Sequence, residues 1–383
     1  MVQPCPFLRV ILIKQSMMLM SIGINAAMSS SMSSSNYLTK QEHGSTLSSS
    51  NGSLEFHQAT TNTEPCPVSE DISPCVCIYN SHYGYIDMDC SEVLTGDELR
   101  MIFSSYFPVP EFRKFSTEDS PLEVLEDGVF GEVTFSIISL TSGALKEVQI
   151  GALDGMIDTL RELYLINIPL INFPFDTVAS FTKLDTFRLD LADNKTLSSG
   201  FPNLTNSNLH LLWLEDCEFE VLPEDAFQDL PMIGNIILES DLISTIPSGI
   251  FCNLHHLGVV NIHGNLLTIL PEGLFSCTGL QNLYFISLER NNINTIEVNA
   301  FQAVADIVIH LSHNNLATIE EDVWKPLFDV GSHIYIKDNP LLCGCDIAWV
   351  VRNPDYLDQI EDKATCIDGE ALHDLDPHIF DDC

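Results

Sequence analysis

The stretch from residue 257 to residue 278 places its apolar side chains at intervals that fit neither an α-helix nor a simple β-strand. Its sequence, LGVVNIHGNLLTILPEGLFSCT, alternates around Val260 and Ile262, has an asparagine at Asn265 and continues with apolar residues as far as Phe275. The alternation predicts a short strand with two inward side chains, and the later apolar residues predict a return of the chain past them. One such coil cannot bury its own apolar side chains, so the pattern requires stacked neighbouring copies.

Copies of the pattern run along most of the chain. The positions aligned with the asparagine are Ser120, Gly143, Ile168, Asn194, Cys217, Asp241, Asn265, Asn291, Asn314 and Asn339. Their spacings of 23 to 26 residues lie inside the range of leucine-rich repeats, about 20 to 29 residues. The sequence therefore predicts an α/β leucine-rich-repeat solenoid with a curved parallel sheet on its concave face. Irregular or short helical returns are expected on the convex face.

Composition divides the chain into five segments. Residues 1–27 combine basic residues, a weakly apolar run and small residues, which predicts a secretory signal peptide. Residues 28–65 are rich in Ser, Thr, Asn and Gln and predict a disordered arm, because so few apolar side chains cannot offset the entropy of ordering. The rest predicts a cysteine-rich N-terminal cap with a connector (66–111), nine repeats (112–333) and a cysteine-rich C-terminal cap (334–383).

The charge of the chain is strongly acidic. Fifty-four Asp and Glu residues against 16 Lys and Arg give a formal net charge of −38. This charge argues against nucleic acid and anionic membrane surfaces as partners. No uninterrupted apolar run reaches the roughly 18 residues of a membrane-spanning helix, so no membrane insertion is expected. Two interpretations remain, a surface that is acidic for solubility and a surface that binds a basic protein partner.

Most of the twelve cysteines flank the repeats. The eight that we assign to disulfides in the two caps are Cys66, Cys75, Cys77, Cys90, Cys343, Cys345, Cys366 and Cys383. Disulfide-stapled caps would seal the apolar ends of a solenoid and would persist only in an oxidising, extracellular setting. Four cysteines allow three pairings in each cap, and spacing alone does not choose among them. Metal binding by the Cys-x-Cys sequence of the N-terminal cap, Cys75 to Cys77, is the alternative for that cap.

Two further cysteines lie at nearly the same position of neighbouring coils. Cys252 and Cys277 are 25 residues apart, and neighbouring coils lie about 5 Å apart, within reach of a disulfide. Either these two form a bridge and Cys217 remains a buried thiol, or all three are buried free thiols.

Three sequons could carry N-linked glycans, at Asn51, Asn194 and Asn203. The last two fall in the repeat that starts at Leu184, which has an extra residue after Asn194 and lacks the usual return after Pro202. This coil is expected to bulge on the convex side. Asn194 cannot both point inward with the aligned asparagines and carry a glycan.

The concave face is the expected binding surface, because its side chains stand between the inward pairs of each strand. One row of side chains is predicted to run Tyr164, Asp190, Trp213, Ile237, Asn261, Ser287, His310 and Tyr335, and the next Ile166, Ala192, Glu215, Glu239, His263, Glu289, Ser312 and Lys337. The residues predicted to bind a partner are Tyr164, Asp190, Trp213, Glu215, Asp216, Glu239, His263, Glu289 and His310. Exposed aromatic anchors with charged neighbours are typical of interface hot spots. Glycans or loops covering the face are the alternative.

The histidines on the same face could hold a metal or make binding pH-dependent. Scattered histidines on a sheet more often do neither, so no metal site is predicted. The sequence contains no GxSxG, HExxH, phosphate-binding glycine loop or Cys-x-x-Cys redox pair. We therefore expect no enzymatic activity and no cofactor.

The caps, the 24-residue repeats and the NPLLCGC sequence from Asn339 to Cys345 resemble secreted and cell-surface leucine-rich-repeat proteins of animals, including Slit-like and Toll-like ectodomains. That resemblance implies the cap disulfides Cys66–Cys77, Cys75–Cys90, Cys343–Cys366 and Cys345–Cys383. The PCVC cap, the DCS that follows it and LEDGVFG at residues 125–131 are also similar to arthropod relatives of the non-catalytic subunit of the shrimp luciferin monooxygenase. This second resemblance implies an accompanying role beside another protein, without catalysis.

The sequence thus predicts a secreted, non-enzymatic leucine-rich-repeat protein that binds another protein on its concave face, as an auxiliary subunit of a secreted complex. One alternative is an extracellular pattern-recognition protein that binds microbial glycan or lipid. Another is a matrix or adhesion component. The oligomeric state is not predicted.

Overall fold

The structure is a computed structural model, and the residues that it describes are 65–192, 200–301, 305–361 and 363–383. The described residues belong to one compact unit that runs from Asn62 to Cys383. The predicted signal peptide, the arm up to residue 64 and the sequons at Asn51 and Asn194 lie outside the described residues.

Sixteen strands are present in the described residues. In chain order they are β1 (Val76–Asn80), β2 (Tyr85–Asp89), β3 (Glu111–Glu118), β4 (Val124–Leu125), β5 (Thr134–Thr141), β6 (Glu147–Val148), β7 (Glu162–Ile168), β8 (Thr186–Leu191), β9 (Leu211–Glu215), β10 (Asn235–Glu239), β11 (Val259–Asn261), β12 (Ile269–Leu270), β13 (Phe285–Ser287), β14 (Thr295–Ile296), β15 (Val308–His310) and β16 (His333–Tyr335).

Helices are short and lie in the caps and the returns. The α-helices are α1 (Ser69–Ile72), α2 (Gly96–Phe103), α3 (Glu321–Phe328), α4 (Ala348–Val351) and α5 (Pro354–Leu357). The 3₁₀ helices are Asp154–Met156, Phe175–Ser180, Cys345–Ile347, Leu372–Asp374 and Pro377–Phe380. None of the helices in the described residues has the length and apolar character needed to cross a membrane.

Twelve strands form one sheet in the order β1-β2-β3-β5-β7-β8-β9-β10-β11-β13-β15-β16. The first pair is an antiparallel hairpin in the N-terminal cap, and each later pair is parallel. Parallel neighbours require a return between them, and strands on four of these returns pair as two small sheets, β4 with β6 and β12 with β14. The predicted leucine-rich-repeat solenoid with a parallel sheet is confirmed.

The core follows from the alternation of the strands. In β9, Leu212 and Leu214 are fully buried while Trp213 between them faces the other side of the sheet. On the returns, the phenylalanines of successive coils stack on one another. The ring centroids of Phe227, Phe251, Phe275 and Phe301 are 5.9, 5.3 and 5.4 Å apart in turn, with nearly parallel planes. Each coil therefore rests its apolar side chains on those of the next.

In the C-terminal half, buried asparagines tie each coil to the one before it. Asn291 shows the pattern, because its Oδ1 accepts from the backbone N–H of Leu267 at 3.1 Å and its Nδ2 donates to the carbonyl of Ile262 at 2.8 Å. Asn265, Asn314 and Asn339 make the corresponding bonds. An amide suits this position because it donates and accepts at once. We call these aligned positions the ladder.

In the N-terminal half the ladder contains other residues. Ser120 Oγ donates to the carbonyl of Val93 at 3.0 Å. At Gly143 an added Cβ would lie 2.8 Å from the carbonyl oxygen of Ser120, so a side chain does not fit there. Cys217 Sγ donates to the carbonyl of Glu215 at 3.2 Å. The ladder thus changes along the chain from a mixture of residue types to asparagines.

The alignment at Asn194 is wrong by two residues. Arg188 pairs with Tyr164 on one side and with Trp213 on the other, whereas Asn265 follows the corresponding residue Asn261 by four positions. Counting four from Arg188 gives Ala192 as the ladder residue of this coil, and its N–H donates to the carbonyl of Ile168 at 2.9 Å.

The error arises because Asn194 matches the ladder by residue type, whereas the unshifted pairing of β8 with β9 makes Ala192 the equivalent of Cys217. With Ala192 in the ladder, the spacings on its two sides become 192 − 168 = 24 and 217 − 192 = 25 residues.

The structure contains five disulfides, and one described cysteine, Cys217, is free and buried. The bridges are Cys66–Cys77, Cys75–Cys90, Cys252–Cys277, Cys343–Cys366 and Cys345–Cys383. The four cap pairs are those that the family resemblance implies. The fifth joins Cys252 and Cys277 on neighbouring coils. The predicted bridge is therefore confirmed, and the alternative of three free thiols is wrong.

Candidate concave binding site

The strand pairing fixes which side chains lie side by side on the concave face. One row runs Tyr164, Arg188, Trp213, Ile237, Asn261, Ser287, His310 and Tyr335. Asp190 was predicted in this row, but it pairs with Glu215 in the next one. Ala192 was predicted beside Glu215, and it is instead the ladder residue. Both errors follow from the two-residue shift at Asn194.

The second row brings three carboxylates together on neighbouring strands. Asp190 on β8 is level with Glu215 on β9, which is level with Glu239 on β10. Asp216 follows directly after β9, and its backbone N–H donates to the carbonyl of Glu239 at 3.1 Å. Like charges directly across neighbouring strands repel each other. These three carboxylates therefore face like charges, not opposite charges, across the neighbouring strands.

One cation lies among these carboxylates, and the sequence analysis missed it. Arg188 is 8% exposed, and its Cζ lies 3.7 Å from the centroid of the Trp213 ring. Its Nη2 is 3.0 Å from Glu215 Oε2 and 3.7 Å from Asp190 Oδ2. The available signal was the pair Phe187 and Leu189, whose inward side chains leave Arg188 outward between them. We call Arg188, Trp213 and the four carboxylates Asp190, Glu215, Asp216 and Glu239 the acidic patch.

The two aromatic anchors are less exposed than predicted. Trp213 is half-buried beneath Arg188, and its indole Nε1 is buried without a hydrogen-bond partner. Tyr164 is also half-buried, and its hydroxyl donates to Glu162 Oε2 at 2.9 Å. Burial, followed by the charge of Glu162, raises the pKa of the Tyr164 phenol. The structure therefore presents a covered tryptophan where the sequence predicted an open one.

The carboxylates of the acidic patch are incompletely stabilised. Burial and then the charge of Glu215 raise the pKa of Asp190 to about 6, although Arg188 acts in the opposite direction. Burial and Glu215 also raise the pKa of Glu239, which accepts a hydrogen bond from the Asn261 amide. Burial raises the pKa of Asp216. One guanidinium does not offset the repulsion among these groups.

Unpaired polar atoms concentrate on the same strands. Among the described residues, the buried polar atoms without a partner include Arg188 Nε, Trp213 Nε1 and Asp241 Oδ2. Asp241 is the ladder residue after β10, and only its Oδ1 is bonded, accepting from the backbone N–H of Cys217 at 2.8 Å. Buried polar groups are satisfied in most proteins, so such a cluster requires an explanation.

The remaining predicted residues lie farther along the face. His310 stacks on Tyr335 with ring centroids 4.1 Å apart, and burial lowers the pKa of His310. Burial also lowers the pKa of His263, which the charge of Glu289 opposes. In the part of the chain that the structure describes, no group of three His, Cys, Asp or Glu side chains is placed to hold a metal ion.

Comparison with known proteins agrees with this architecture. The family model described as "BspA type Leucine rich repeat region" matches residues 204–327 in six copies. The Oplophorus-luciferin 2-monooxygenase non-catalytic subunit of Oplophorus gracilirostris is 31% identical over 333 residues, which are 85% of this chain and 90% of that protein. The chain belongs to the family of this non-catalytic subunit.

A solved structure shows the same fold as this family member. A chain of the octameric complex of Latrophilin 3, Unc5D and FLRT2 superposes with a TM-score of 0.59, covering 78% of this chain and 97% of that chain. The two sequences are 18% identical, so this similarity concerns the fold alone.

Proposed function

We propose that the protein is a secreted, non-enzymatic accessory protein that binds a basic protein partner through the acidic patch on its concave face. The observation that carries the proposal is the charge of that patch. Four carboxylates and one guanidinium give 1 − 4 = −3 on the neighbouring strands β8 to β10. Lysine or arginine side chains of a partner would relieve this repulsion, and the chain itself supplies only Arg188 within the described contacts of the patch.

The accessory role is supported by the family. The relative from Oplophorus gracilirostris is a non-catalytic subunit by name, and we infer a comparable role beside a different protein for this chain. Secretion is supported by five disulfides, which persist in oxidising compartments. The N-terminal sequence with the composition of a signal peptide supports it further.

The proposal is tested by neutralising the patch without changing the size of its side chains. The double variant Glu215→Gln, Glu239→Gln is immobilised beside the wild type, and proteins captured from the native secreted fluid are quantified by mass spectrometry. We expect the specific partner to be captured at least about tenfold less, because charge complementarity across the interface is lost.

The matched control is Glu224→Gln with Asp225→Asn. These two exposed residues lie in the same coil but on the return, away from the sheet. The control removes the same number of charges and is expected to capture the partner normally. Equal capture by the patch variant and the wild type, with both folded by circular dichroism, would refute binding at the acidic patch.

A further inference from the structure

Two hydrogen-bond donors at the centre of the acidic patch have no acceptor. Arg188 Nε and Trp213 Nε1 are both buried and unpaired, although Arg188 is bonded through Nη2 and lies on the Trp213 ring. A buried donor without an acceptor has lost its hydrogen bond to water and gained none in the protein, so it lowers the stability of the fold. These two donors are a second feature of the patch, separate from the carboxylates. A cation bound to the carboxylates would leave both donors without an acceptor.

We infer that the partner reaches the acidic patch as an extended peptide segment with an arginine or lysine side chain, whose main-chain carbonyl oxygen accepts a hydrogen bond from Trp213 Nε1 or Arg188 Nε. This inference rests on the proposed function and specifies the part of the partner that is recognised. The basic side chain lies against Asp190 or Glu239, the two ends of the carboxylate row.

The chemistry of the patch selects this ligand over other classes. The carboxylates need a cation, and the two donors need an acceptor that carries no negative charge. A phosphate, a sulfate or a carboxylate would be repelled by the four acidic side chains. A polyamine supplies cations but no acceptor, and a neutral glycan supplies acceptors but no cation. A basic peptide segment supplies both on one chain.

The dimensions also fit a short extended segment. Asp190, Glu215 and Glu239 lie level on three successive strands, so the row spans about two strand spacings, or roughly 10 Å. An extended peptide rises about 3.3 Å per residue, so about three residues cross the row. Because Arg188 lies on the Trp213 ring, an acceptor bound to either donor changes the environment of the indole N–H.

The test uses the full chain and the peptide acetyl-Gly-Arg-Gly-Arg-Gly-amide. Affinity is measured by calorimetry, and the indole ¹H–¹⁵N resonances of the three tryptophans are followed by NMR. Trp213→Phe assigns the signal. Trp349 serves as the internal control, because its Nε1 already donates to the carbonyl of Ile319 at 2.9 Å. Two comparison ligands are the same peptide with citrulline in place of arginine and the polyamine spermidine.

We expect the arginine peptide to move the Trp213 indole resonance and to leave that of Trp349 in place. The citrulline peptide should bind at least about tenfold more weakly, because it lacks the charge. Glu239→Gln should weaken the arginine peptide about threefold to tenfold, and Glu224→Gln on the return should not change it.

Three outcomes overturn the inference. They are no binding of the arginine peptide, binding that leaves the Trp213 resonance unmoved, and binding of spermidine as tight as that of the peptide. None of these outcomes refutes the proposed function, which depends on partner capture by the wild type and its loss in the Glu215→Gln, Glu239→Gln variant.

Discussion

The two halves of the ladder differ in the side chains that link each coil to its neighbours by hydrogen bonds. In the C-terminal half, the asparagines Asn265 to Asn339 are fully bonded, each linking its coil to the preceding one. After β9 and β10 the ladder has instead a cysteine, whose thiol donates only weakly to the carbonyls of Glu215 and Leu189, and an aspartate with an unpaired oxygen. These are the coils that carry the acidic patch. Locally unfavourable choices of residue tend to collect at functional sites, and this difference supports the proposal of a binding site on β8–β10.

The largest expected effect comes from breaking the well-bonded half. Asn291→Ala removes bonds to four backbone groups, on Leu267, Ile262, Leu288 and Glu289. We expect a loss of about 3 kcal/mol in the free energy of unfolding, because these groups remain buried and unpaired. Urea denaturation, monitored by circular dichroism, measures this loss in the free energy of unfolding. Asn292→Ala, at the neighbouring exposed position, should change stability by less than about 0.5 kcal/mol. Similar losses in the two variants would contradict the ladder assignment.

The second effect should have the opposite sign. Asp241→Asn replaces the unpaired carboxylate oxygen with an amide donor, as in the C-terminal ladder. Burial raises the pKa of Asp241 to about 7 from an ordinary value of 3.8, so the wild-type fold is favoured while this carboxyl is protonated and loses that stability as the pH rises through about 7. We expect the variant to be more stable than the wild type by about 2 kcal/mol at pH 8.

At pH 5 the difference between Asp241→Asn and the wild type should shrink, because the protonated carboxyl can also donate a hydrogen bond. Thermal unfolding at the two pH values gives the comparison. A lower melting temperature for the variant at pH 8 would show that the ladder site does not accept an amide there.

A smaller effect is expected on partner capture. Between pH 7.5 and pH 5.5, Asp190 with its pKa of about 6 gains a proton, and the raised pKa of Glu239 acts in the same direction. Capture should therefore fall about threefold to tenfold as the pH is lowered. Asp190→Asn should bind more weakly at pH 7.5 and show a flatter dependence on pH. Capture that strengthens at pH 5.5 would exclude carboxylates as the main determinant.

The smallest effect concerns Cys217. Cys217→Ser keeps one donor for the carbonyl of Glu215, the group that Sγ contacts at 3.2 Å. We expect a loss of only about 0.5 to 1 kcal/mol, mainly from burying a more polar side chain. Urea denaturation alongside Asn291→Ala makes the comparison direct. A loss as large as that of Asn291→Ala would mean that the two halves of the ladder contribute equally.

Much of the fold could be predicted from the sequence, because a solenoid repeats the same local contacts in every coil. The spacing of Leu257, Val260 and Ile262 predicts a strand that the structure contains as β11, and the same spacing locates the other repeat strands of the large sheet, but not the cap hairpin or the short strands on the returns. Cys252 and Cys277 occupy equivalent positions in neighbouring coils, so their proximity also follows from the period.

The candidate site was harder to predict, because it lies where the period fails. Asn194 matched the pattern by residue type, but the pairing of β8 with β7 and β9 aligns Arg188 with Tyr164 and Trp213, which makes Ala192 the ladder residue. As a result, the sequence analysis placed Asp190 in the wrong row and did not recognise Arg188 as a residue of the concave face. The contact of Arg188 with Trp213 depends on lateral packing between strands, which a period along the chain does not encode.

The bridge between Cys252 and Cys277 has a mechanical consequence. If the protein were pulled from its two ends, coils without cross-links would peel away one after another, each releasing its full length of chain. The bridge closes a loop between cysteines that are 25 residues apart in sequence. At about 3.4 Å per residue, roughly 85 Å of chain cannot extend until the bridge is reduced. Under force, the coils on either side of the bridge would thus detach separately, while this loop stays closed in the middle of the ribbon.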